Sequence, residues 1–250
     1  MNERPRVVIV TGAGGGIGRA AVTAFRAAGD RVLAADRDPV RLPPRDGDLE
    51  PFEADCTDAD ACERMVARAR ERWGGVGAVF HVAGISGRRF GDGPTHLCTD
   101  EGWDAVLDTN LKGTFVVCRA VIPELMAAGG GAIVNLASVL GMVGGGALFA
   151  THAYAASKAG IIGLTRAIAT YYAPHGIRAN VLAPGLTDTP MAGRALADEA
   201  TAAHVRDRQP LTAGPVTPSQ VAAAAVFLAS AAAAGITGAV LPVDGGWTAG

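Results

Sequence analysis

The chain has 250 residues, enough for one large α/β unit with a substantial core. Hydrophobic residues make up 49% and charged residues 18%, a balance that excludes a disordered chain. A formal charge of -2 leaves no basic surface for nucleic acid and no strong field for a highly charged partner, so a small neutral or modestly charged molecule is the expected ligand.

In chain order, short β-branched runs alternate with longer helical patterns. Strands are expected at Arg6 to Thr11, Arg31 to Asp36, Gly77 to Val82, Ala132 to Ala137, Ile177 to Ala183 and Ala239 to Val243, with another ending before Asp55. Helices are expected at Ile17 to Ala28, Asp58 to Trp73, about Glu101 to Ala127, about Tyr154 to Tyr172, and onward from Pro218. The last of these opens on Thr217-Pro218-Ser219-Gln220, a capping box with proline in the first turn, and its Ala-rich run Val221 to Ile236 is too short and too weakly apolar to span a bilayer. Alternation of this kind implies βαβ units, hence a doubly wound, Rossmann-type parallel sheet of seven strands with helices on both faces, in a single domain over residues 1–250. Met1 to Arg6 shows no signal-peptide core. Cys56, Cys62, Cys98 and Cys118 have neither C-x-x-C spacing nor a small fold to staple, which predicts reduced thiols and a cytoplasmic protein. The loops at 85–100, 139–153 and 184–217 all follow strands, where an open parallel sheet binds its ligands.

Thr11-Gly12-Ala13-Gly14-Gly15-Gly16-Ile17-Gly18 falls between the first strand and the first helix. Bare backbone there lets a pyrophosphate approach a positive helix N-terminus, although a glycine-rich stretch by itself also suits a flexible turn. G-x-G-x-x-G fails in the register of Gly12, because Ile17 holds the third place, and no Walker lysine is present. Asp36 closes the second strand 18 residues after Gly18, about where an acid accepts the adenosine ribose hydroxyls. Its charge would repel a 2′-phosphate, which favours NAD over NADP; Arg37 beside it works the other way, and an ordinary loop aspartate is the simpler alternative.

Tyr154-Ala155-Ala156-Ser157-Lys158 places a phenol and an ammonium on one helix face. A charge ~4.5 Å from the phenol, at an effective dielectric of ~20, lowers its pKa by about two to three units, into the range of a working acid/base. Ser138 ends a strand 16 residues earlier and is expected at the same mouth. The chain has only two lysines, Lys112 and Lys158, and both lie in these motifs. The five histidines show neither H-x-x-x-H spacing nor an acid cluster, so no metal is expected, and His152 reads as a helix-start residue facing water. No elbow motif supports a nucleophilic Ser or Cys.

The spacing Thr11-Gly12, Gly16, Gly18 together with Tyr154 and Lys158 resembles the short-chain dehydrogenase/reductase family, and the resemblance runs on through Ile236-Thr237-Gly238 and Val243-Asp244-Gly245-Gly246, essentially the whole chain. It implies cofactor binding by Gly12, Gly16, Ile17, Gly18, Asp36, Asp55, Cys56, Ala83, Gly84, Tyr154, Lys158, Pro184, Gly185, Thr187 and Thr189, and a catalytic tetrad of Asn110, Ser138, Tyr154 and Lys158. Asn110 would hold a water linking the lysine to solvent, Asp55 would contact the adenine (or merely cap the helix that follows), and Thr187 and Thr189 would bind the nicotinamide carboxamide. His81-Val82-Ala83-Gly84 departs from the family's Asn-Asn-Ala-Gly, which leaves the backbone contacts at Ala83 and Gly84 but replaces sheet asparagines. The expected activity is NAD-dependent interconversion of a small-molecule secondary alcohol and a ketone by a homotetramer. An NADPH-dependent oxoacyl-carrier-protein reductase is disfavoured by Asp36 and by the uncharged Met126-Ala127-Ala128-Gly129-Gly130-Gly131 where a basic docking site would stand; a non-enzymatic NAD sensor leaves the tetrad without a use, and so does a methyltransferase. A segment rich in small residues, Met191 to Gln209, is expected to close as a lid.

Overall fold

The structure, a computed structural model, describes residues 5–250; the expectation for the leader at Met1–Arg4 lies outside the described residues. Seven strands form one parallel sheet: β1 (Val7–Thr11), β2 (Arg31–Asp36), β3 (Leu49–Glu53), β4 (Ala78–His81), β5 (Gly131–Leu136), β6 (Ile177–Pro184) and β7 (Val240–Val243). Their order is β3-β2-β1-β4-β5-β6-β7, so the direction of winding reverses between β1 and β4 and opens a crevice at the strands' carboxyl ends.

Each inner strand is apolar on both faces, as a sheet covered on two sides must be. Ile9, Leu33, Val79 and Ile133 pack toward α2 (Ala59–Trp73), α4 (Gly113–Ala127) and α5 (His152–Tyr172). Val8, Val10, Phe80 and Val134, one residue out of phase, pack toward α1 (Gly16–Ala27) and α8 (Pro218–Ala229). Asp58 caps α2 through the N–H groups of Asp60 and Ala61, and Gly74, at φ 92°, ends it. The α8 capping box forms as read from the sequence: the Gln220 N–H donates to Thr217 Oγ1 at 3.3 Å and the Thr217 N–H to Gln220 Oε1 at 2.7 Å.

Three elements differ from expectation. The helix anticipated over 101–127 is α3 (Asp100–Val106) and α4 joined by a π-helical turn at Leu107–Lys112, a widened turn that holds Asn110. Helix α8 stops at Ala229, because Ser230 leaves helical geometry and caps a single 3₁₀ turn at Ala231–Ala233 instead of letting the helix run to Ile236. Within 184–217 the chain folds as α6 (Gly193–Ala197) and α7 (Glu199–Arg208). α6 buries no residue, but α7 is held by Val205, fully buried beside Trp247, and by His204, whose ring lies 5.7 Å from Trp247 and 6.1 Å from Phe149. The anchor comes from the C-terminal turn, which local composition does not reveal. Among the described residues, no helix is long and apolar enough to cross a membrane.

Candidate active site

The glycine loop leaves β1 at Thr11 and packs backbone to backbone on the end of β4. Gly12 takes φ 62°, and a Cβ there would stand 2.8 Å from the Ala83 nitrogen. On Gly16 a Cβ would stand 2.7 Å from Thr189 Cγ2, so the segment after β6 lies against the loop that opens α1. Gly15 brings no side chain to cap α1 and the first turn has no acid, which leaves its positive terminus free for an anion. Asp36 curls back over this loop: Oδ2 accepts the Gly14 N–H at 2.9 Å and Oδ1 the Asp38 N–H at 3.0 Å. A nucleotide fits this cradle, since a positive helix terminus and an acid that accepts hydrogen bonds occupy its two ends. Arg41, whose Cβ is 2.5 Å from where a Gly14 Cβ would be, brings a second cation that sequence reasoning missed; its Nε is already paired with Asp38 at 2.8 Å.

Asp55 is exposed and accepts both the Thr57 N–H and hydroxyl at 2.8 Å; the cap of α2 is Asp58, so Asp55 is free of that duty. Cys56 is buried, and its thiol is pushed well up by the hydrogen bond it donates to Cys62 and by burial. All four cysteines are free. Pro184 ends β6, the Gly185 N–H donates to Val243 O at 3.1 Å, and Thr189 Oγ1 donates to Thr187 O at 3.4 Å. Gln209, fully buried, fixes this segment by accepting the Leu186 N–H at 2.6 Å and donating to Gly214 O at 2.7 Å.

The reacting groups meet where β4, β5 and α5 converge. Ser138 follows β5, and its Oγ accepts the Leu140 N–H at 3.2 Å. Tyr154 is half-buried in the first turn of α5; burial raises its phenol above the ordinary 10, and hydrogen bonding with Ser138 pulls it back. Lys158 Nζ stands 5.5 Å from the Tyr154 ring centroid and donates to Leu136 O at 2.8 Å. Burial lowers the ammonium to about 8. The net lowering of the phenol anticipated from helix spacing is thus absent from the protein alone, where desolvation outweighs the hydrogen bond with Ser138.

Asn110 is fully buried in the π-helical turn. Its Oδ1 accepts the Ile85 N–H at 2.8 Å, while Nδ2 donates to Ile85 O at 3.0 Å and to Ser157 Oγ at 3.1 Å; Ser157 in turn donates to Tyr154 O at 2.8 Å. Gly84 lies between Asn110 and Lys158: a Cβ on it would be 3.0 Å from Asn110 Oδ1 and 3.6 Å from Lys158 Nζ. His81, at the end of β4, is buried with Nδ1 2.8 Å from Thr11 Oγ1 and, among the described residues, Nε2 without a partner. His152 is exposed, but its Nδ1 accepts the Thr95 N–H at 2.9 Å, and with Leu140, Met142 and Phe149 it lines an apolar cleft beside Tyr154. The structure also adds Asp92, whose carboxylate accepts the Ala153 and Tyr154 N–H groups in the first turn of α5.

A doubly wound sheet with a glycine cradle at one end of the crevice and a Ser, Tyr, Lys and Asn cluster at the other defines a nucleotide-dependent oxidoreductase. A family model described as enoyl-(acyl carrier protein) reductase matches residues 12–248. The cis-4-hydroxycyclohexanecarboxylate dehydrogenase of Sinomonas cyclohexanicum is 37% identical over 98% of this chain and 97% of its own. The 3-oxoacyl-(acyl-carrier-protein) reductase of Thermotoga maritima is 34% identical over 98% and 99%. A crystal structure of a short-chain dehydrogenase/reductase family oxidoreductase from Burkholderia thailandensis superposes with a TM-score of 0.87 at 37% identity, covering 99% of this chain and 94% of that one. The chain belongs to the short-chain dehydrogenase/reductase family.

Proposed function

We propose that this protein interconverts a secondary alcohol and a ketone with NAD, in a single domain whose mouth is formed by the loops at 85–100, 139–153 and 184–217. The observation that carries the reading is the convergence of Ser138, Tyr154 and Lys158 beside an apolar cleft. Bound NAD supplies the hydride acceptor. Held by Gly12, Gly16, Ile17, Gly18, Asp36, Asp55, Cys56, Ala83, Gly84, Pro184, Gly185, Thr187 and Thr189, with Tyr154 and Lys158 reaching its ribose, it would lie across the crevice. Ser138 holds the substrate oxygen, Tyr154 takes or gives its proton, and Lys158 supplies positive charge that favours the phenolate. Asn110, joined through Ser157 to the Tyr154 carbonyl, fixes the helix against the π-helical turn and borders the gap over Gly84 that would hold the water linking Lys158 to solvent. The Sinomonas relative, a hydroxycyclohexanecarboxylate dehydrogenase, supports a compact secondary alcohol as substrate.

The test is a panel of secondary alcohols, followed by nicotinamide absorbance with NAD and with NADP. A 2′-phosphate facing Asp36 meets like charge and loses the ribose hydrogen bonds, a cost of roughly 2 to 4 kcal/mol, so NAD should be preferred by tens to about a thousandfold in kcat/KM. Asp36→Ala should narrow the gap, mainly by weakening NAD. Equal kcat/KM for the two cofactors removes Asp36 from this role, and the absence of turnover with every alcohol and ketone tested removes the enzyme reading.

A homotetramer belongs to the same proposal, in a cytoplasmic setting that suits four free thiols. The outer faces of α4 and α5 carry an apolar groove lined by Leu107, Leu111, Phe115 and Leu164 around Gly160, with Phe115 45% exposed and Trp103 46% exposed nearby. Phe115→Asp should reduce the assembly to a smaller species in light scattering, whereas a mass unchanged from that of a tetramer would place the interface elsewhere.

A further inference from the structure

Tyr154 sits in a helix turn that its own sequence leaves uncapped. Thr151, at the N-cap, makes no side-chain bond, and the first turn of α5 carries no acid. The cap arrives from the loop between β4 and α3. Asp92, 6% exposed, accepts the Ala153 N–H on Oδ1 and the Tyr154 N–H on Oδ2, both at 3.0 Å. Two more bonds clamp the same contact, from the His152 N–H to Gly93 O at 3.1 Å and from the Thr95 N–H to His152 Nδ1 at 2.9 Å. The loop itself is folded for this purpose: Gly87 takes φ 77° and accepts the Asp92 N–H at 3.2 Å, and a Cβ on Gly87 would stand 2.8 Å from Asp92 Cβ.

A carboxylate in this place does more than satisfy two amides. It puts a full negative charge at the positive end of the helix that carries the phenol, and so opposes phenolate formation. We propose that Asp92 is a positioning residue for Tyr154, fixing the first turn of α5 to the substrate-side loop and holding the phenol in its protonated form to higher pH than the bare helix terminus would. The inference rests on the reading of Tyr154 as the acid/base. The other charged or titratable groups around Tyr154 and Asp92 are Lys158 over the ring, His152 on the same helix, His81 facing Lys158 from β4, Cys98, whose thiol donates to Asp92 Oδ1 at 3.9 Å, and Arg88 beside Asp92 with Arg194 behind it from the loop and α6. All of them persist when Asp92 alone is changed. Arg88, left unopposed by the loss of Asp92, acts in the same direction as the helix terminus.

The chain has three tyrosines, Tyr154, Tyr171 and Tyr172, so phenolate absorbance can be titrated in the full-length NAD complex and the Tyr154 contribution isolated by subtracting the same titration of Tyr154→Phe. Asp92→Asn should move the Tyr154 midpoint down by about half to one unit, and Asp92→Glu, which keeps the charge, should restore most of the shift. The pH profile of cyclohexanol oxidation should shift with it. If Asp92→Asn does not fold, Asp92→Ser, which keeps an oxygen acceptor without charge, carries the same comparison. A folded neutral variant whose Tyr154 midpoint stays put, or rises, reduces Asp92 to a helix cap and overturns the inference while Tyr154 keeps its role. Near-normal turnover by Tyr154→Phe overturns both.

Discussion

Tyr154→Phe should lower kcat by at least ~10²-fold while leaving NAD affinity nearly unchanged, because it removes the proton carrier and keeps the ring. With Tyr154 in the proposed acid/base role, alcohol oxidation requires phenolate and should speed up as pH rises through the phenol's pKa, and ketone reduction requires phenol and should slow over the same range. Lys158 separates catalysis from stability. Its ammonium is buried at 3% exposure, makes one hydrogen bond to Leu136 O, and has a pKa of about 8 in place of the ordinary 10.5. Between those values the unfolded chain binds the proton that the folded chain has released. Stability therefore rises as pH climbs from 8 to 10.5, and below 8 the folded protein bears the full penalty, on the order of 3 kcal/mol. Lys158→Met fills similar space without charge and should abolish turnover while raising the unfolding midpoint in denaturant at pH 7. A Lys158→Met variant that is inactive and also less stable would mean that the bond to Leu136 O outweighs the burial penalty. Near-normal kcat in Tyr154→Phe, with a deuterium effect showing that hydride transfer limits the rate, would remove Tyr154 from the mechanism.

The sheet was legible because its signals are local. β-branched runs of five or six residues, glycine at Gly12, Gly16 and Gly18, and the Thr217 to Gln220 box each declare themselves within one element. Asp36 was legible as a strand end for the same reason, and its carboxylate reaches the Gly14 N–H of the glycine loop. The parts that escaped depend on contacts between elements. The π-helical turn at Leu107–Lys112 is stabilised by Asn110 bonding to Ile85 and Ser157, 25 and 47 residues away, and no helix-periodic pattern encodes it. Asp92 reads as a turn aspartate in Gly91-Asp92-Gly93, because its two amide partners lie about 60 residues further on. The Tyr154 and Lys158 spacing gave the charge pair but not the burial, which changes the sign of the phenol's shift in the protein alone.

Acid should destabilise this protein more steeply than its net charge suggests, through His81. The residue ends β4 between β1 and β5, opposite Thr11 and Asn135, 2% exposed, where the family pattern has an asparagine. Thr11 Oγ1 accepts the Val82 N–H at 3.1 Å and lies 2.8 Å from His81 Nδ1, a contact that a neutral imidazole satisfies, and Nε2 has no partner among the described residues. Burial, helped by the Lys158 charge, lowers its pKa from 6.5 to about 3. The unfolded chain thus binds a proton near pH 6.5 that the folded chain refuses until pH 3, so the stability this neutral histidine permits is whole above 6.5 and is lost as pH falls toward 3. The loss amounts to about 2 kcal/mol at pH 5 and about 4 kcal/mol at pH 3. His81→Asn keeps a polar side chain beside Thr11 and removes the titration. The difference in unfolding free energy between pH 7 and pH 5 should shrink by about 2 kcal/mol in the variant, with the other four histidines common to both proteins and cancelling. Denaturant unfolding at the two pH values reads this directly. Equal pH dependence in the two proteins would mean that His81 protonates in place, with Nε2 reaching an acceptor such as a buried water, and the orphaned nitrogen would then be a proton site inside the sheet next to Lys158.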